Sequence, residues 1–169
     1  MNDDLIQDAL DRLHGRYFGK YRGSVTEVDA PTMRIKATVP AVLGETVSGW
    51  CMACVPYAGP DVGFVMLPEV GSGVWIEFEA GDVSYPIWTG CYWRAGEVPA
   101  KADPDIKAVF TKAGSVAFDN NGPSITLEDA DSHTLVMESS GVTITVGSTT
   151  KIAATTSSVS VNDGALEVK

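Results

Sequence analysis

The sequence predicts an all-β protein in two parts, a small barrel and a repetitive tail. Three observations carry that expectation. After Tyr17 the apolar spacing changes from helical to alternating, the pattern of a strand with one face covered. Clusters of Gly, Pro, Asn and Asp interrupt the alternating runs and cut them into short strands joined by tight turns. From Gly114 to Lys169, apolar residues recur as pairs one residue apart, so both members of each pair face one side of a strand.

Residues 1–16 come first, and Asp3 to His14 have the spacing of an amphipathic helix. Leu5, Ile6, Ala9, Leu10 and Leu13 share a stripe, Asn2 or Asp3 can cap the amino end, and Gly15 stops it. A helix of about three turns is not stable unpacked, so the stripe docks either on its own domain or on a partner.

Residues 17–95 form the barrel part. Tyr21–Val28 and Thr32–Val39 flank the turn Asp29-Ala30-Pro31 as a hairpin, and Pro40 breaks the second strand. Gly49–Pro56 is a third extended piece, and Tyr57–Phe64 is too rich in Gly and Pro for regular structure. Val65–Pro68 is extended again, Val74–Glu79 alternates cleanly, and Ser84–Trp93 closes the set. Several short strands in so short a stretch suggest a small closed barrel. Residues 96–113 contain prolines and read as a linker.

The tail, residues 114–169, pairs Val116 with Phe118, Ile125 with Leu127, Leu135 with Met137, Val142 with Ile144, Ile152 with Ala154, Val159 with Val161, and Leu166 with Val168. Each rung of about three residues offers two apolar side chains and no helix to cover them. One copy cannot hide such a face, and identical copies can. The expected fold is therefore an intertwined homo-oligomer, most simply a threefold β-prism with the paired residues on its axis and interchain hydrogen bonds along its length.

Composition narrows function. The chain has 169 residues and a net charge of −10, which argues against phosphate backbones as partners, since such binding needs Lys and Arg to neutralise phosphate. No apolar run approaches the ~20 residues that span a bilayer, and Met1-Asn2-Asp3-Asp4 lacks the positive start of a signal peptide, so synthesis in a cytoplasm is expected. Cys51 and Cys54 have the spacing of a redox or zinc pair. In an extended run they point to opposite faces, so buried, unpaired thiols are expected instead.

The run Gly49-Trp50-Cys51-Met52-Ala53-Cys54-Val55-Pro56-Tyr57-Ala58-Gly59-Pro60, then Gly63-Phe64, then Pro68–Asp82, then Tyr85-Pro86-Ile87-Trp88-Thr89-Gly90, resembles the OB-fold domain of contractile-tail spikes. That family includes phage baseplate assembly protein V, the central spike of T-even phages and the VgrG proteins of type VI secretion. Tyr21–Val25 fits its first strand. The resemblance implies a barrel that trimerises, followed by an intertwined triple-stranded β-helix, a homotrimeric needle driven through the target cell envelope when the sheath contracts. It also implies a virion tail baseplate, or an equivalent tailocin or type VI-like particle, as the location.

Three departures matter. The gap from Gly96 to Ala113 is too short for the lysozyme domain of the T-even spike. No His-x-His apex is present, since the histidines are His14 and His133. Only about sixteen residues precede the barrel, so a separate baseplate hub protein is expected, with Leu5, Ile6, Leu10 and Leu13 as its contact. The missing apex leaves Leu166 and Val168 as a platform for a separate tip protein of the PAAR type.

No cofactor and no catalytic residue is assigned. His133 shares parity with Leu135 and Met137, so three copies could bring imidazoles to an axial metal; a solvated turn histidine fits the same residues. Asp129, Asp131, Ser132 and His133 contain hydrolase residue types, but in one polar turn without an oxyanion loop. OB-fold nucleic-acid binding lacks a cationic groove here, and Trp75, Phe78, Trp88 and Trp93 read as core or intersubunit packing. A receptor-binding fibre is disfavoured because the last fifty residues hold no Trp or Tyr.

Overall fold

The computed structural model describes Ile6 and residues 15–168, which form two compact units meeting in sequence between Glu97 and Val98. Of the expected N-terminal helix, Leu5, Leu10 and Leu13 lie outside the described residues; Ile6 is helical and exposed.

The first unit is a barrel closed by non-local pairing. Strand β1 (Tyr21–Asp29) turns through Ala30–Thr32 into β2 (Arg34–Thr38), with Met33 in the left-handed region at φ 55°. A one-turn helix, α1 (Pro40–Leu43), follows where Pro40 ends the strand. Then come β3 (Met52–Ala53), β4 (Ala58–Gly59), β5 (Val62–Gly63), β6 (Gly73–Phe78) and β7 (Pro86–Tyr92). The sheet order is β2-β1-β6-β7-β3, antiparallel except that β3 runs parallel to β7. Cys51 closes the circle: its N–H donates to the Ile35 carbonyl at 2.8 Å, and the Ile35 N–H donates back at 3.4 Å. An extra residue in β7 between the partners of Trp75 and Ile76, beside Gly90 at φ 143°, bends the sheet as closure requires.

Alternation places Val25, Ile35, Ala37, Val39, Val74, Ile76, Phe78 and Trp88 in the core with Cys51. Cys54 and Cys91 are exposed, so the expected burial of the thiols holds for Cys51 alone. Burial raises the Cys51 thiol pKa, which keeps it protonated and unreactive. Trp75 is half-buried under the Arg22 guanidinium, and Trp93 is exposed, so neither joins this core. Tyr57–Phe64, expected to be irregular, instead contains the small hairpin β4–β5, whereas Val65–Pro68 carries no strand.

The second unit is an eight-stranded antiparallel meander in sequence order: β8 (Ile106–Thr111), β9 (Gly114–Asp119), β10 (Ser124–Asp129), β11 (Thr134–Glu138), β12 (Gly141–Val146), β13 (Thr150–Ala154), β14 (Val159–Val161) and β15 (Leu166–Val168). Most rungs are five or six residues long rather than three, and the first lies inside the stretch expected to be a linker. The ladder hydrogen bonds run between strands of one chain, which corrects the expectation of interchain bonding.

Two glycines permit this close stacking. A Cβ on Gly141 (φ 143°) would stand 2.0 Å from the Ala154 carbonyl oxygen, and one on Gly114 (φ 151°) 2.2 Å from that of Glu128. Gly141→Ala should therefore destabilise the meander by on the order of 2–3 kcal/mol, seen as an earlier urea transition by circular dichroism at fixed chain concentration.

Candidate functional site

Register turns the paired residues of the tail into two continuous rows. Val109, Val116, Leu127, Leu135, Ile144, Ile152, Val161 and Leu166 stand opposite one another across successive strands. Lys107, Phe118, Ile125, Met137, Val142, Ala154, Val159 and Val168 form the second row. The rows are two residues apart on every strand, so they share one face of the sheet. Fifteen of these sixteen side chains are apolar, with Lys107 the exception. At ~4.8 Å between strands the face is about 34 Å long.

Among the described residues nothing covers it. Val116 and Ile144 are exposed to 38% and 39%, and Leu166 and Val168 to 61% and 63%. The opposite face suits water better, with a middle row of small or polar residues, Ala117, Thr126, Thr143, Ala153 and Ser160, broken by the apolar Val136. If each of the fifteen hid roughly 50 Å² at ~25 cal/mol per Å², association through this face would gain on the order of 20 kcal/mol per chain. That exceeds the ~4–15 kcal/mol cost of association. The face exceeds what a monomer ordinarily exposes, the mark of an interaction surface.

The structure places every residue expected on the axis, namely Val116, Phe118, Ile125, Leu127, Leu135, Met137, Val142, Ile144, Ile152, Val159 and Val161, in these rows. Leu166 and Val168 end them on the last strand. Val109 belongs there too. The pair pattern missed it because its neighbour two residues earlier is Lys107.

His133 sits at the β10–β11 turn, beside Ser132 in the left-handed region at φ 63°. Its ring Nδ1 lies 2.9 Å from Asp129 Oδ2, and its backbone N–H donates to Asp129 Oδ1 at 2.8 Å. Asp129, Asp131 and His133 offer ligand atoms within 4.8 Å of one another, all in this one turn. The ring thus has a partner within its own turn. The backbone N–H of His133, followed by its ring and the Asp131 N–H, holds the Asp129 carboxyl below the usual carboxylate range. A lowered folded pKa means the turn's contribution is present above the unfolded value and fades as pH falls through the folded one. Below about pH 4 the wild type should lose part of its stability, while Asp129→Asn should flatten that acid limb, as read by urea titrations across pH.

Two comparisons bear on this arrangement. Residues 21–93 match the family described as the type VI secretion system/phage-baseplate injector OB domain, and residues 110–167 match the phage baseplate V C-terminal trimerisation domain. Over 62 residues the chain is 36% identical to the type VI secretion system spike protein VgrG2a of Pseudomonas aeruginosa, a match covering 37% of this chain and 7% of that protein. VgrG2b of the same organism is 36% identical over 62 residues, covering 37% of this chain and 6% of that protein. The chain thus spans a small part of the curated relatives it matches. The uncovered apolar face lies within the stretch matched as a trimerisation domain, and the closed barrel within the stretch matched as an OB domain. This chain belongs to the phage baseplate V and type VI spike family of injection machines, with an OB-fold barrel followed by a trimerisation domain.

Proposed function

We propose that this chain is the central spike of a contractile injection machine, and that three copies join through their apolar faces into a three-sided β-prism that pierces the target envelope on sheath contraction. The observation that carries this reading is the two-row face: fifteen apolar side chains in continuous register, with no cover from the other described residues. Three such sheets enclose a dry axis and leave Thr, Ser and Glu outside. Each rung is hydrogen-bonded to the next, so a push along the prism is shared by the whole ladder. The role is mechanical and needs no catalytic group.

In this reading residues 1–16 contact the hub through Leu5, Ile6, Leu10 and Leu13, residues 17–95 form the collar, and 96–113 connect it to a needle of 114–169, with β8 as an added first rung. Leu166 and Val168 leave apolar surface at the last rung, which favours a PAAR-like tip protein there. The chain is made in a bacterial cytoplasm and built into a tail baseplate or a related particle.

Sedimentation should return three times the 17.9 kDa chain mass at micromolar concentration. Immunogold labelling of purified particles should mark the axial end of the tail tube. A stable single chain, or label confined to peripheral fibres, would overturn the assignment.

A further inference from the structure

A second uncovered surface lies on the barrel unit. Every residue from Pro56 to Met66 is exposed, and the run is anchored at its ends by half-buried Val55 and Leu67. Tyr57, Val62, Phe64, Val65 and Met66 all show large apolar area to solvent, Val65 to 77%. Asp61 is the only charged side chain in the run.

The arm has little to hold its own shape. Its two strands, β4 and β5, pair only with each other, closed by the Phe64 N–H donating to the Tyr57 carbonyl at 2.9 Å. Among the described residues, no hydrogen bond ties Pro56–Met66 to the rest of the barrel. A lone two-stranded hairpin is marginal in water, and five apolar side chains around it add a solvation cost. Such an arm is stable when another surface covers it.

We propose that the arm Pro56–Met66 packs on the barrel of a neighbouring copy of this chain, as an interchain clasp. The inference rests on the trimeric reading of the tail, because trimerisation supplies the occupant. Eight residues, Val98–Asp105, separate the barrel unit from β8, a reach of at most about 28 Å. Three tethered barrels therefore meet at an effective concentration of order millimolar, at which a modest apolar contact suffices. Charge favours the same occupant: copies that each carry −10 repel, so they approach best through surfaces nearly free of charge, and this arm is one.

The test uses the full chain with a benzophenone photo-crosslinking residue at Val65. Irradiation should give adducts at two and three chain masses, and adding Val142→Asp, which separates the tails, should reduce them at least tenfold. In parallel, Phe64→Ser with Val65→Ser should lower the barrel's thermal midpoint by several degrees in the trimer and leave it unchanged in the Val142→Asp background. A trimer by sedimentation that yields only intrachain adducts, or an unchanged midpoint in the trimer, overturns the clasp while leaving the spike reading intact. Absence of the trimer itself sinks both.

Discussion

Replacing Val142 or Ile144 by Asp is expected to abolish the trimer while leaving the barrel folded. Val142 stands between Met137 and Ala154, and Ile144 between Leu135 and Ile152, so both occupy the middle of the apolar rows. A carboxylate there must be desolvated against aliphatic neighbours, and threefold packing would bring three of them together. At several kcal/mol for each buried unpaired charge, the penalty is on the order of 10 kcal/mol per trimer, and the mutual repulsion of three like charges at one level of the axis adds to it. Sedimentation should then report a single chain mass. Both residues are exposed in the isolated sheet, so the substitution costs the single chain little and acts on assembly. Heat-resistant trimers from either variant would show that these rows do not face the axis.

The converse effect is expected from Ile76→Ala in the barrel. Ile76 is fully buried among Val25, Ile35, Val74 and Trp88, and its truncation leaves a cavity costing about 2–5 kcal/mol. In a unit of this size that corresponds to a drop of roughly 10–25 °C in the thermal midpoint. All four Trp residues precede Arg94, so tryptophan emission follows the barrel alone. The emission transition should shift while sedimentation still gives a trimer. Loss of both together would show that the two units do not fold independently.

Much of the tail was legible because a strand's side chains alternate with a period of two. Val142 and Ile144 declare a shared face wherever the strand goes, and the Gly, Asn and Asp clusters between pairs mark the reversals. The first rung escaped because Lys107 stands where its second apolar residue would be, and Ile106, Ala108 and Phe110 fall on the opposite face. The barrel core was similarly visible in Val74-Trp75-Ile76-Glu77-Phe78, where alternate residues are buried. The clasp-like arm was not, since its strands are two residues long and have no periodicity to display.

By itself the sequence determined which side chains share a face, where the chain reverses, and that the tail's apolar side has no cover of its own. Only the tertiary structure decided that β3 runs parallel to β7, that Cys51 rather than Cys54 faces the core, and that each rung bonds to its own chain. Face and turn are local properties of neighbouring residues. Pairing partners are chosen over long stretches of chain, where the competition among whole surfaces, and not the spacing of a few side chains, settles the outcome.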